Sequence, residues 1–120
     1  ASASLGSLVR FYAEAMDKIT GDVFTTTQDS LVAQLRLPRG VVAAVTPWNF
    51  PVFTALLKLA PALAVGNSVV IKPSELSTRS TLRLAQLVTE AGLPKGVLNV
   101  VPASVPPWER RWDCTPMSIC

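Results

Sequence analysis

The chain has 120 residues, of which 49% are hydrophobic and 16% are charged, and its formal net charge is +3. This length allows one domain or part of one, and the composition excludes an intrinsically disordered chain, which needs low hydrophobicity and high net charge. The basic residues are scattered between Arg10 and Arg111 without a basic stripe or interleaved aromatic residues, so a nucleic-acid-binding protein is not expected.

Membrane attachment and metal chemistry are not expected either. The most apolar window, residues 52–71, has the length of a membrane span, but Lys58 and Pro61 interrupt it. The N-terminus has no basic or apolar leader segment, which indicates a cytoplasmic protein. The chain has no His residue, and the spacing of Cys114 and Cys120 matches no zinc or redox motif, so a metal centre and a Cys–His or Ser–His catalytic pair are not predicted.

Residues 1–39 form the first predicted segment, a helix followed by a hairpin. Between residues 3 and 19, apolar side chains recur at i, i+3 and i+4 spacing, which predicts an amphipathic helix that ends at Gly21. Residues 22–37 alternate or are branched at Cβ, which predicts two short strands of a β-hairpin.

Residues 40–102 form the second segment, in which strand and helix patterns alternate. The apolar run VVAAVT at 41–46 is typical of a strand that is buried on both faces. The elements predicted after it are a helix over 52–65, a strand over 68–72, a helix from a cap at Ser77 or Thr78 to Ala91, and a strand over 97–101. The β-α-β-α-β order predicts an α/β fold with a parallel sheet, one half of a doubly wound, Rossmann-like domain, with an open edge and an uncovered face.

Two polar stretches, TPWNFP and KPSE, follow the first and second strands of this segment. Ligands of open α/β sheets bind beyond the carboxyl ends of the strands, although the usual Gly-rich phosphate motif is absent from the first turn. Asn49 could stabilise an oxyanion through its amide N–H groups, which need no ionisation. It could instead cap the following helix, and the residues alone favour the cap.

Three charged residues near these turns each have two interpretations. Lys72 and Glu75 flank Pro73 and Ser74, and they could bind the hydroxyls of a ribose or form an ion pair in a solvated loop. Lys58 could be a buried functional amine, or its ammonium could extend to water. Spacing alone does not decide between these alternatives.

Three longer motifs occur in a fixed order: TPWNFP, LLKLAPALAVGNSVVIKPSE and AGLPKGVLNVVP. Together they closely resemble the aldehyde dehydrogenase superfamily, and the resemblance extends from about Leu5 to Pro102. It implies a fragment of an NAD-dependent enzyme that oxidises an aldehyde to a carboxylic acid and assembles as a homo-oligomer. In this interpretation residues 1–39 lead into the cofactor domain, and residues 40–102 are half of it.

The resemblance also implies two catalytic residues and two residues at the substrate. Asn49 matches the residue that helps to stabilise the oxyanion of the thiohemiacetal intermediate, and Lys58 matches a lysine that some members use in a charge relay. Phe50 matches a position near the substrate tunnel. Leu57 stands where many members have a tryptophan, so the tunnel has a different shape here.

The resemblance further implies a cofactor half-site. Thr46, Pro47 and Trp48, together with Asn49, match a loop along the bound cofactor, and the stretch Lys72, Pro73, Ser74, Glu75 matches the part of the family's site that holds the adenine ribose. A carboxylate beside the 2′-hydroxyl repels a 2′-phosphate, so NAD is favoured over NADP. Some members with this motif accept both cofactors.

The rest of the family's active site has no counterpart in this chain. The nucleophilic cysteine, the general-base glutamate and the Gly-rich nicotinamide motif are not matched, so this chain alone is predicted to be inactive. Residues 103–120 depart from the family pattern abruptly, yet a shifted reading of their codons can give a glycine-rich sequence with the family's HPDVD motif. The tail is therefore predicted to be a frameshift product of a single-base deletion just after the codons for Val101 and Pro102.

Two other functions remain possible at this point. The chain could be a non-catalytic truncated form that acts only as an interaction or oligomerisation module on complete subunits. It could also be an unrelated nucleotide-binding half-domain, but only if the whole run of motifs is a coincidence.

Overall fold

The computed structural model describes residues 2–26 and 29–102, with side chains from Leu5 onward. The predicted tail, residues 103–120, lies outside the described residues. In chain order the elements are α1 (Ser2–Glu14), a 3-10 turn (Met16–Lys18), β1 (Asp22–Phe24), β2 (Val32–Gln34), β3 (Val41–Thr46), α2 (Pro51–Ala64), β4 (Ser68–Pro73), a 3-10 turn (Glu75–Ser77), α3 (Thr78–Glu90) and β5 (Leu98–Val100).

Strands β3, β4 and β5 form a parallel sheet in that order, and β1 and β2 pair separately as an antiparallel hairpin. The register places Val41 beside Ser68 and Thr46 beside Pro73, so the carboxyl ends of β3 and β4 lie side by side. The predicted β-α-β-α-β order and the α/β fold class are confirmed. Because ligands of such sheets bind beyond the carboxyl ends, this register determines which residues can share a site.

One face of the parallel sheet is covered by α2 and α3. The core is a cluster of buried apolar side chains from these two helices and from alternate positions of β3 and β4: Val42, Ala44, Ala55, Leu59, Ala62, Val69, Ile71 and Leu84. On the opposite face, Val41 is 57% exposed and Val45 is 49% exposed. Among the described residues helices cover only one face, so β3 is not buried on both faces, and the sheet has the uncovered face that was predicted for a half domain.

Helix α2 begins at Pro51, a residue that suits the first helical position because it needs no N–H partner there. It ends where Gly66 adopts a φ of +84°, a left-handed conformation that favours glycine. Asn67 then joins this end of the helix to the start of β3. Its Oδ1 accepts a hydrogen bond from the Gly40 N–H at 2.9 Å, and its Nδ2 donates to the Ala62 carbonyl at 3.3 Å.

Replacement of Asn67 by Ala is expected to lower the free energy of unfolding by about 2 kcal/mol, because it removes the two side-chain hydrogen bonds that join the end of α2 to the start of β3. Urea denaturation of the purified chain measures this change. Asn99→Ala is the matched control, since the Asn99 side chain is exposed and bonds only to the nearby Gly96 carbonyl. Equal effects of the two substitutions would contradict the bridging role of Asn67.

The connection between α1 and the hairpin is longer than predicted. Helix α1 ends at Glu14 and a 3-10 turn follows, so Gly21 does not terminate the helix. Gly21 instead lies against β2, where an added Cβ would collide with the Gln34 backbone carbonyl. The hairpin itself is confirmed, and its apolar residues, among them Val23, Leu31 and Leu35, are exposed.

Candidate functional site

The carboxyl ends of β3 and β4 bring the two predicted polar stretches together. Thr46 is the last residue of β3, and its carbonyl accepts a hydrogen bond from the Ser74 N–H at 3.0 Å. The Thr46 side chain is 2% exposed, and its Oγ1 has no hydrogen-bond partner among the described residues. Buried hydroxyls normally have a hydrogen-bond partner, so the unpaired Thr46 Oγ1 is an exception at the end of β3.

The turn between β3 and α2 presents Trp48 and Asn49 to the outside. Trp48 is 64% exposed, and Asn49 is exposed as well. The Asn49 Oδ1 accepts a hydrogen bond from the Phe50 N–H at 3.1 Å. Within the described ranges the Asn49 Nδ2 makes no hydrogen bond, so both of its N–H groups are free to donate to a ligand.

The interpretation of Asn49 as the helix cap is wrong. The residue at the cap position of α2 is Phe50, and no side chain caps the helix there. A cap would accept from the second or third backbone N–H of the helix, whereas Asn49 accepts from the N–H of Phe50, before the helix begins. Pro51 removes one of the unpaired N–H groups of the first turn, which reduces the need for a side-chain cap.

Lys58 reaches from α2 to the open edge of the sheet. Its Nζ donates a hydrogen bond to the Val45 carbonyl at 2.7 Å. The neighbouring Thr46 carbonyl points to β4, and carbonyl directions alternate along a strand, so the Val45 carbonyl points away from β4. The Lys58 ammonium is therefore held at the backbone one residue before the TPWNFP turn rather than extended freely into water.

Lys72 and Glu75 lie on either side of the end of β4. Lys72 is half-buried on the uncovered face of the sheet, and Glu75 is exposed at the start of the 3-10 turn. In the part of the chain that the structure describes, no ion pair joins them, so the surface ion pair considered above is not formed. Pro73 is buried between them and Ser74 is half-buried.

Hydroxyl groups hold the turn that carries Glu75. The Ser74 carbonyl accepts hydrogen bonds from the Ser77 Oγ at 3.3 Å and from the Thr78 Oγ1 at 3.1 Å. Ser77 occupies the cap position of α3, but its side chain does not cap the helix, so the predicted capping hydrogen bond is absent. The hydroxyls fix the backbone after β4 and leave the Glu75 carboxylate free.

The two predicted substrate residues lie on the outward side of α2. Phe50, at the cap position before the helix, and Leu57, within the helix, are both exposed. Phe53, which was not among the predicted substrate residues, is also exposed and lies about one helical turn before Leu57. Its signal in the sequence is the four-residue spacing of Phe53 and Leu57 within the predicted helix.

The free polar groups at this end of the sheet suit a dinucleotide. Asn49 offers two N–H donors, Lys72 a cation and Glu75 an acceptor, and these are the groups that bind phosphates and ribose hydroxyls. Among the described residues, no three His, Cys, Asp or Glu side chains come together as metal ligands. In the same part of the chain, no helix is long and apolar enough to cross a membrane.

A model of the aldehyde dehydrogenase family matches residues 3–109. The chain belongs to this family. The NADP/NAD-dependent aldehyde dehydrogenase PuuC of Escherichia coli (strain K12) is 58% identical over 93 residues, which are 78% of this chain and 19% of that protein. The match to the family model runs seven residues past Pro102, into the part that lies outside the described residues.

Solved structures of the family share this fold. PnpE in complex with nicotinamide adenine dinucleotide is 48% identical, with a TM-score of 0.78. The match covers 83% of this chain and 20% of the PnpE chain. The gamma-glutamyl-gamma-aminobutyraldehyde dehydrogenase from Burkholderia cenocepacia J2315 is 51% identical with a TM-score of 0.79, also over 83% of this chain and 20% of its own. This aldehyde dehydrogenase chain thus spans about a fifth of the length of the relatives it matches.

Proposed function

We propose that this chain is the part of an NAD-dependent aldehyde dehydrogenase that carries half of the cofactor site and one oxyanion donor, with NADP as a second possible cofactor. The observation that carries the proposal is the free Asn49 amide at the end of β3, next to the equally free Lys72 and Glu75 after β4, in a member of this family. Residues 40–102 are proposed as half of the Rossmann-like domain and residues 1–39 as its lead-in.

The proposed chemistry assigns one task to each polar group. Bound NAD supplies a hydride acceptor for the oxidation. The Asn49 N–H groups donate hydrogen bonds to the aldehyde oxygen as negative charge develops on it, which lowers the barrier because an amide donor is already oriented and uncharged. Glu75 would accept hydrogen bonds from the adenine ribose, and Lys72 would donate to it. The backbone of Thr46, Pro47 and Trp48 would help to hold the cofactor.

Lys58 and the outward face of α2 complete the part of the site that this chain contributes. Lys58 is proposed as a charge-relay group, because its ammonium is already fixed at the Val45 carbonyl beside the site. The exposed side chains of Phe50 and Leu57 are proposed to line the passage of the aldehyde. The nucleophilic cysteine and the general base belong to sequence that this chain does not contain.

A second candidate function is a non-catalytic interaction module. The observation that favours it is the β1–β2 hairpin, whose apolar side chains, including Val23, Leu31 and Leu35, are exposed. Two short strands with bare apolar surface are not stable by themselves and need a partner. Family members as homo-oligomers would supply that partner, and a cytoplasmic location fits both functions.

We further propose that residues 103–120 result from a single-base deletion after the codons for Val101 and Pro102. The support is the loss of all periodicity in this stretch and the family-like sequence that a shifted frame can give. In this proposal the natural gene encodes a longer enzyme, and this chain retains only its first cofactor-binding half.

The test begins with sequencing of the coding DNA. The protein encoded by the complete natural reading frame, called the complete protein below, is then purified. We expect it to reduce NAD in the presence of an aldehyde, with acetaldehyde, benzaldehyde and indole-3-acetaldehyde as a first panel. Calorimetry of NAD with this chain alone provides the comparison. Catalysis by the complete protein would support the dehydrogenase. If the reading frame is uninterrupted and encodes no further catalytic residues, and the protein shows no turnover, the dehydrogenase proposal is overturned in favour of the interaction module.

A further inference from the structure

Arg79 is an exposed and unpaired cation next to the proposed ribose site. It is the second residue of α3, and it forms no hydrogen bond or ion pair within residues 2–26 and 29–102. Arg83, on the next turn of the same helix, differs in this respect, because its Nη1 lies 3.4 Å from the Gln86 Oε1 and 3.7 Å from the Glu90 Oε1. Arg79 is therefore available to a ligand, whereas Arg83 is already engaged.

Arg79 lies about one helical turn from Glu75. The 3-10 turn Glu75–Ser77 continues directly into α3 at Thr78, and the hydroxyl bonds to the Ser74 carbonyl fix this junction. Four residues of such backbone rise about 6–8 Å, which a ligand the size of a phosphorylated ribose can bridge. Both side chains are exposed, yet no ion pair forms between them.

The two charges act in opposite directions on a phosphate at the ribose 2′ position. The Glu75 carboxylate repels it, which is the reason that NAD is favoured. The Arg79 guanidinium attracts it and can bind two phosphate oxygens at once through its planar fork of N–H donors. A site with both groups can bind the 2′-hydroxyl of NAD through Glu75 and the 2′-phosphate of NADP through Arg79.

We propose that Arg79 is a cofactor-specificity residue that binds the 2′-phosphate of NADP and so allows this site to accept NADP beside NAD. This inference rests on the proposed function, because it places the adenine ribose at Lys72 and Glu75. It adds a residue that the resemblance to the family did not indicate.

The test is calorimetric binding of NADP and of NAD to the complete protein and its variants. Arg79→Ala is expected to weaken NADP binding by about tenfold, the usual worth of a charge-assisted hydrogen bond, and to leave NAD binding nearly unchanged. Arg79→Lys retains the positive charge and should retain most of the NADP affinity. Arg83→Ala is the matched control on the same helix and should change neither affinity.

Added salt gives a second readout that a merely structural role would not move. NADP binding to the unaltered protein should weaken more steeply with KCl than NAD binding, and Arg79→Ala should reduce this difference, because screening acts on the phosphate–guanidinium attraction. An equal loss for both cofactors, or no loss for NADP, overturns the role of Arg79 alone. Failure of the unaltered protein to bind either cofactor overturns the proposed function and the role of Arg79 with it.

Discussion

Replacement of Asn49 by Ala is expected to lower kcat of the complete protein by about 10²–10³-fold, the usual cost of removing one oxyanion donor. The Asn49 Nδ2 makes no hydrogen bond among the described residues, so its N–H groups are free to act as the proposed oxyanion donor. NAD affinity should change little, because these donors act mainly on the charge that develops during the reaction. Steady-state kinetics with saturating NAD, together with calorimetry of NAD binding, measure the two effects separately.

Asn99→Ala is the control for this substitution, since Asn99 is exposed in β5 and its Nδ2 bonds to the Gly96 carbonyl. It should leave kcat unchanged. Because Asn49 does not cap α2, the Asn49→Ala variant should also retain its stability in urea. A large loss of stability with unchanged kcat would mean that Asn49 has a structural role and would contradict its role as oxyanion donor.

Replacement of Ile71 by Ala is expected to lower the free energy of unfolding by about 4 kcal/mol, the middle of the range for large-to-small changes in a core. Ile71 is 0% exposed and lies in the centre of β4, in the core cluster with residues of β3, α2 and α3. The substitution removes apolar surface and leaves a cavity that the surrounding strands and helices cannot fill. Urea unfolding of this chain followed by circular dichroism measures the change.

Val70→Ala is the matched control, because Val70 is the neighbouring residue of the same strand and lies on the uncovered face. Its substitution in this chain should cost about 1 kcal/mol or less, since less apolar surface is removed from a buried environment. The same substitution in the complete protein should cost more if additional sequence covers this face. Similar costs for Ile71→Ala and Val70→Ala in this chain would contradict the one-sided core.

Much of the fold follows from local patterns that need no tertiary contact. The strands over 41–46 and 68–73 and the helices after them show their type through apolar runs, helical spacing and the Gly and Pro residues between them. The parallel sheet follows from their alternation, since short connections through helices leave few other arrangements. The family follows from the three long motifs, and the sheet brings the TPWNFP and KPSE stretches of the first two to its carboxyl end.

Contacts between distant residues could not be predicted in the same way. The hydrogen bond from Lys58 to the Val45 carbonyl depends on how α2 lies against β3, and the absence of an ion pair between Lys72 and Glu75 depends on the path of the chain after β4. Gly21 matched the pattern of a helix end, but its need for a small side chain comes from the approach of β2.

The sequence by itself determined the order and type of the main elements and the parallel sheet, and it indicated the candidate site residues, because periodicity, turn residues and motifs are properties of neighbouring positions. The tertiary structure decided which face of β3 is buried, which groups at the carboxyl end of the sheet remain unpaired, and that Phe50 rather than Asn49 stands at the cap of α2. These outcomes depend on where helices pack and where carbonyls point, and neither is encoded in the spacing of residues along the chain.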